Sequence, residues 1–247
     1  MSLIVKSAKL AIRITVPAIP LLGLVTALSS GCNERSSSAE PAAGASAATH
    51  EHSSGAEDGF PHPHHYADRL DDPKRRAWQK PREVVELLAC EAGMVAADVG
   101  AGTGYFLADL SKAVGTEGRV LALDTEPTMV DRMTSRIERE GLKNARASTV
   151  LPDDPGLARE SVDRVLVVNT WHHISDRVLY AEKLRGALRS GGQLMIVDFT
   201  MESPHGPPAE MRLTIDTIVA ELEAAGFAAR VLDESLPYQY VVLGIVP

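Results

Sequence analysis

The segment Ala97-Asp98-Val99-Gly100-Ala101-Gly102-Thr103-Gly104-Tyr105 combines residue types and spacing that can hold a ligand. An apolar run leads in and a helical pattern leads out, so a strand turns into a helix through glycines. Backbone without Cβ lets a ligand come close, and the first helical turn presents N–H groups with no partner inside the helix. About twenty residues past the last glycine, Asp124 ends a second apolar run, where a carboxylate can accept both hydroxyls of a ribose. The pattern points to a ligand that carries a nucleoside. A dinucleotide oxidoreductase would place its third glycine at 105, but Tyr105 stands there and the glycines fall at 100, 102 and 104. The alternative use of the same glycines is a loop that merely turns the chain.

The second constellation is Val168-Asn169-Thr170-Trp171-His172-His173-Ile174. Imidazole titrates near neutral pH and can take a proton from a reacting group. His172 and His173 are therefore candidate bases, with Asp198, at the end of another apolar run, a comparable catalytic candidate. A histidine that only bonds backbone at a strand end is the alternative. The stretch 201–211, with Ser203-Pro204-His205-Gly206-Pro207-Pro208, reads as a rigid polar loop bordering an acceptor pocket. Tyr238 and Tyr240 alternate with Gln239 and are expected on one strand face, as core or as pocket wall.

These residues need elements to carry them. Apolar spacing and Gly/Pro punctuation predict helices over 80–88, 105–114 and 126–140, one from a Ser175 cap to about 189 with a stop at Gly191-Gly192, and one from a Thr214 cap to Gly226. Strands are expected at 94–99, 119–124, 145–151, 162–168, 193–198, 230–234 and 238–245. Such alternation implies an α/β fold: a doubly wound, mostly parallel seven-stranded sheet with an antiparallel last strand and helices on both faces. Cys90, after Leu87-Leu88-Ala89, reads as a small buried hydrophobe.

Glycine spacing, the acid two residues before it and the order of elements together resemble class I S-adenosylmethionine-dependent methyltransferases over roughly residues 71–247. The resemblance implies S-adenosyl-L-methionine as cofactor. It implies that Asp98, Gly100, Ala101, Gly102 and Gly104 form the floor under its methionine part and ribose. Asp124 would bind the ribose hydroxyls and Thr125 would line the adenine. Asp153 or Asp154 would meet the adenine amino group, and Asn169 would face the methyl-transfer site. Asp71-Asp72-Pro73 and Ala77-Trp78-Gln79-Lys80-Pro81 resemble a segment of a bacterial methyltransferase subgroup, which places Trp78 and Gln79 as a lid near the methionine end. A helix packing Trp78 on the core is the alternative. The 168–174 segment is similar to the paired-histidine loop of small-molecule methyltransferases. No metal is implied.

The first third differs in kind. Lys6, Lys9 and Arg13 precede an uncharged run from Ile14 to Ala27, followed by Leu28-Ser29-Ser30-Gly31-Cys32. A short apolar run behind positive charge, ending in small residues, reads as an export signal. Residues 1–32 resemble a bacterial lipoprotein signal with Cys32 as the lipidated residue, although Ser29 stands where such signals usually place Leu; an uncleaved membrane anchor and a plain cleaved signal are the alternatives. Residues 33–65 hold few large apolar side chains and are expected to form a tether. His50, His52, His62, His64 and His65 fall there, as solvated histidines, a lip over the site or a metal site. Residues 66–247 remain for the methyltransferase domain. Because the positive flank stays inside, the domain is expected on the periplasmic side of a membrane, away from the cytosol where the cofactor is made. The net charge of −8 disfavours a nucleic-acid groove, whose footprint is basic. The expected partner is a small-molecule or lipid-like acceptor. The competing reading is an exported, non-catalytic module that binds the nucleoside.

Overall fold

The computed structural model describes residues 70–247; the signal, Cys32 and the histidines at 50–65 lie outside the described residues. Two short helices open the described chain: α1 (Arg75–Gln79) and α2 (Pro81–Leu87). Alternation then follows through β1 (Val95–Val99), α3 (Leu107–Val114), β2 (Arg119–Asp124), α4 (Pro127–Glu140), β3 (Ala145–Thr149) and β4 (Val162–Val168). After a one-turn helix, Trp171–His173, come α5 (Arg177–Ala187), β5 (Leu188–Phe199), α6 (Ile215–Ala224), β6 (Ala228–Leu232) and β7 (Gln239–Ile245).

The strands form one seven-stranded sheet in the order β3-β2-β1-β4-β5-β7-β6. Strands β1 to β5 pair in parallel, and β7 runs antiparallel to both β5 and β6. This is the expected fold class. Central strands covered on both faces read as unbroken apolar runs, and all five residues of β1 are buried. Their side chains alternate between two cores. Ala97, Val99, Val165 and Val167 join Trp171, Leu184 and Leu222 on one face. Ala96, Leu166 and Val168 join Leu88, Leu110 and Met133 on the other. Burying one such large side chain contributes roughly 1.5–3 kcal/mol.

The direction of winding reverses between β1 and β4, because β2 and β3 are added on one side of β1 and β4 and β5 on the other. In such sheets a crevice opens beyond the carboxyl ends of the strands at that point. The loops after β1, β2, β3 and β4 line that crevice.

Local chemistry set most element ends. Pro127 begins α4, and Gly141, at φ 65°, closes it in the left-handed region that glycine adopts without strain. Several boundaries differ from the sequence reading, two of them for a clear local reason. Asp176, not Ser175, caps α5, its carboxylate accepting the Leu179 N–H. Gly191-Gly192 does not stop a helix. Helix α5 ends at Ala187, and the glycines lie within β5, at a break in register between Val162↔Leu188 and Arg164↔Gln193. Extra residues on one strand make a bulge, for which glycine is equally suited. Tyr238 precedes β7, so it does not share a strand face with Tyr240; Tyr240 is buried and its hydroxyl donates to the Leu213 carbonyl. Cys90 is half-buried against the second core, and burial pushes its thiol up to about 11.

Candidate functional site

The glycine loop leaves β1 under the end of β2. Gly100 and Ala101 both donate their N–H to the Leu123 carbonyl, at 2.8 and 3.0 Å. At Gly100, φ 70°, an added Cβ would overlap the Thr170 side chain, and at Gly104, φ 78°, it would come within 2.5 Å of Leu107 Cδ1. Only glycine fits either position. Asp124 braces the loop from the neighbouring strand. Its Oδ2 accepts the Gly102 N–H at 2.8 Å and its Oδ1 accepts the Glu126 N–H at 3.0 Å.

A cleft of about 520 Å³ opens here, lined by Gly100, Gly102, Asp124, Thr125, Met129, Val150, Pro152, Asn169, Thr170, His173 and Tyr180, among others. A smaller cavity of about 60 Å³ adjoins it through Gly100, Gly102, Asn169 and Thr170, and its walls include Arg75, Asp98 and Tyr105. Asp98 is 2 % exposed, and its Oδ2 has no hydrogen-bond partner. Burial and the nearby Asp124 push its carboxyl up to about 7, with Arg75 opposing them. The Tyr105 hydroxyl is also buried without a partner, and the Arg75 guanidinium lies over the Tyr105 ring, 4.2 Å from its centre. Buried polar atoms in proteins are nearly always paired, so two orphans in one cavity mark a place for ligand atoms.

The histidine turn faces the other end of the cleft. Trp171, fully buried, anchors it by donating from Nε1 to Glu221 Oε2 at 2.9 Å. Arg177 holds Glu221 Oε1 at 2.7 Å. His172 and Asp198 form a pair with side chains only 2 % and 3 % exposed. His172 Nδ1 lies 2.9 and 3.0 Å from the two Asp198 oxygens, and the Phe199 N–H donates to Asp198 Oδ1. A carboxylate only accepts, so Nδ1 carries the proton and the Nε2 lone pair is left to act as base. His173 lines the cleft beside His172, their rings 4.2 Å apart. Burial and then His172 lower its pKa, while Asp198 acts against them.

The structure brings Asp98, Asp124, Thr125, Asn169, the three glycines and the catalytic candidates His172, His173 and Asp198 to one end of the sheet. It does not bring Asp153 or Asp154 to the cleft wall. The Asp153 side chain is 83 % exposed near Lys183, and Asp154 Oδ1 turns back to the Gly156 N–H. Trp78 and Gln79 also stand back from the cleft. Trp78 stacks on His205 at 4.8 Å, and Gln79 is buried against Asn169. On the loop after β5, Met201 and Met211 expose apolar surface. One side chain fixes the loop: Arg212 donates to the carbonyls of Pro207, Thr200, Met201 and His205 at 2.8–3.1 Å. Arg75 was missed by the sequence reading, although it precedes Gln79 by four residues and so shares its helix face. Gln239 was missed too, and nothing local to it marks a role.

A doubly wound sheet with β7 reversed, a glycine cradle at its switch point and a carboxylate at the end of β2 together make the α/β fold that methyltransferases use. Residues 96–192 match the family model described as a methyltransferase domain. The chain is similar to the ubiquinone/menaquinone biosynthesis C-methyltransferase UbiE of Hydrogenovibrio crunogenus, 29% identical over 133 residues that make up 51% of this chain and 49% of the relative. It is 30% identical over 133 residues to methyltransferase GfsG of Streptomyces halstedii, covering 53% of this chain and 47% of the relative. It spans about half or less of the length of such curated relatives. A solved SAM-dependent methyltransferase from Aquifex aeolicus superposes with a TM-score of 0.71 at 29% identity, over 76% of this chain and 100% of that one.

Proposed function

We propose that this protein transfers a methyl group from S-adenosylmethionine to a small-molecule or lipid-like acceptor, with His172 as the base and Asp198 orienting it. The observation that carries this is the buried His172–Asp198 pair beside the cleft-lining His173. The residues fit the cofactor: a cradle closed to any Cβ, a ribose-height carboxylate in Asp124, and the orphaned Asp98 oxygen in an adjoining cavity that suits a cationic group. Asp98, Gly100, Gly102, Asp124 and Thr125 would hold it. When bound, the cofactor supplies an electrophilic methyl on a sulfonium. His172 takes the acceptor's proton on Nε2, and Asp198 stabilises the imidazolium that forms. The core around Trp171 keeps the turn in place and excludes water. The Hydrogenovibrio relative is named for C-methylation in ubiquinone and menaquinone biosynthesis, which supports a small-molecule acceptor.

We place the domain on the periplasmic side of a membrane, held by lipid at Cys32. The support is the positive flank, apolar run and small residues that precede Cys32. If Cys32→Ser leaves acyl labelling and detergent partitioning unchanged, the tether is something else.

The test of activity uses the full chain with methyl-labelled cofactor and fractions of small molecules and lipids. With an accepted fraction in hand, His172→Ala should slow transfer by roughly 10²–10⁴-fold and leave cofactor affinity within about twofold. Normal rates in both His172→Ala and His173→Ala would return the histidines to a structural role. Cofactor binding with no transfer to any fraction would favour a non-catalytic binding module.

A further inference from the structure

Three carboxamides close a ring behind the cleft. Gln79 Nε2 donates to Gln239 Oε1 at 2.7 Å, Gln239 Nε2 donates to Asn169 Oδ1 at 2.6 Å, and Asn169 Nδ2 donates back to Gln79 Oε1 at 3.1 Å. Gln79 and Gln239 are 0 % and 1 % exposed and stand 160 residues apart in the chain. They join α1, the start of β7 and the end of β4.

The ring has a direction, and Arg75 fixes it. Guanidinium only donates, so the Gln79 atom facing Arg75 Nη2 at 3.2 Å must be the oxygen. That leaves the Gln79 amide nitrogen for Gln239, whose facing atom must then accept. The Gln239 nitrogen is left for Asn169, and the Asn169 nitrogen for Gln79. One cation in the cavity wall thereby sets the orientation of all three amides. Asn169 is the member that lines both cavities, and it sits at φ 55°, a conformation unusual for a residue with a side chain. Its carboxamide gives one N–H and one oxygen lone pair to the ring, which holds this left-handed backbone in place.

We infer that Gln79 and Gln239 are positioning residues for the amino-acid end of the cofactor, acting through Asn169 and Arg75. This rests on the cofactor reading above. Neither glutamine touches the cleft. Together they hold Arg75 and Asn169, two polar walls of the smaller cavity, in register around the orphaned Asp98 oxygen. Breaking the ring frees Asn169 to leave the left-handed region and lets Arg75 drift over Tyr105. The nucleoside end of the cleft, built on Asp124, Thr125 and Met129, has no bond to the ring.

Two probes separate those ends. S-adenosylhomocysteine carries the amino-acid part, and methylthioadenosine lacks it. Calorimetry on the full chain would compare wild type with Gln79→Met, which removes both amide bonds at near-equal volume, and Gln239→Glu, which as a carboxylate accepts but does not donate. Both variants should bind S-adenosylhomocysteine roughly tenfold more weakly and methylthioadenosine within about twofold of wild type. Equal losses for both probes, or unchanged affinities with a lowered melting temperature, would overturn the inference and leave the ring a packing device. Gln239→Glu keeps shape, so it decides the matter if Gln79→Met does not fold. Wild type that binds neither probe would instead remove the cofactor reading, and this inference with it.

Discussion

The ends of β1 and β2 deliver two aspartates to one end of the sheet, and their surroundings are opposite. Asp124 is engaged by the protein on both oxygens, each with a lone pair to spare: one braces the glycine loop, and the other receives the first N–H ahead of α4. Asp98, on the adjacent strand, is almost sealed from water, and one of its oxygens bonds nothing. Burial raises its carboxyl to about 7. The first acid organises the site before any ligand arrives. The second stores an unfavourable state that a cationic ligand group relieves. Pre-organisation and stored strain thus sit on neighbouring strands, paired Asp98↔Ala122 and Val99↔Leu123.

Substitution can break this contrast. The largest effect is expected at Asp98. Asp98→Asn should weaken S-adenosylhomocysteine by roughly a hundredfold, since a charge-assisted hydrogen bond is lost in a buried place. Calorimetry checks this, and an affinity within threefold of wild type would show that the orphaned oxygen has no ligand to serve. Asp124→Ala should weaken the same ligand by roughly tenfold. Unlike Asp98→Asn, it should also cost the unliganded protein about 0.5–2 kcal/mol, because two N–H groups lose their partner. Unchanged affinity with a lowered melting point would reduce Asp124 to a cap.

Acidity sharpens the same contrast. An acid raised to about 7 in the folded state keeps its proton there after the unfolded chain has lost its own, near the ordinary value of about 4. Stability should therefore fall as pH rises from about 4 to about 7, by on the order of a few kcal/mol, and level off above. Urea midpoints across that range should slope downward in wild type and lose that component in Asp98→Asn. The smallest effect is expected at Asp153. Its exposed side chain stands outside the cleft, so Asp153→Asn should leave affinity within about twofold. A loss beyond fivefold would mean that the 152–155 loop swings in over the adenine.

What the sequence made legible depended on range. The limits of β2 and β4 follow from their apolar runs, and the glycine cradle from spacing alone, because glycine takes a left-handed turn without strain. Ser175 and Asp176 are both competent caps one residue apart, so the choice fell to tertiary contacts. Gly191-Gly192 suits a helix stop and a strand bulge alike, and pairing with β4 selected the bulge. The His172–Asp198 pair spans 26 residues and was legible only as two separate strand ends. The amide ring was invisible, since no local pattern links Gln79 to Gln239.

Arg212 has a consequence for how this loop can vary. It clasps the loop after β5 through four main-chain oxygens, and every amino acid supplies that oxygen. Side chains along that loop can be exchanged without undoing the clasp. Gly206 is the exception, because its backbone lies against the Phe199 ring. The loop is thus a fixed frame with replaceable contents, and a library randomised at 201, 202, 205 and 210, with Arg212 and Gly206 kept, tests whether it borders an acceptor.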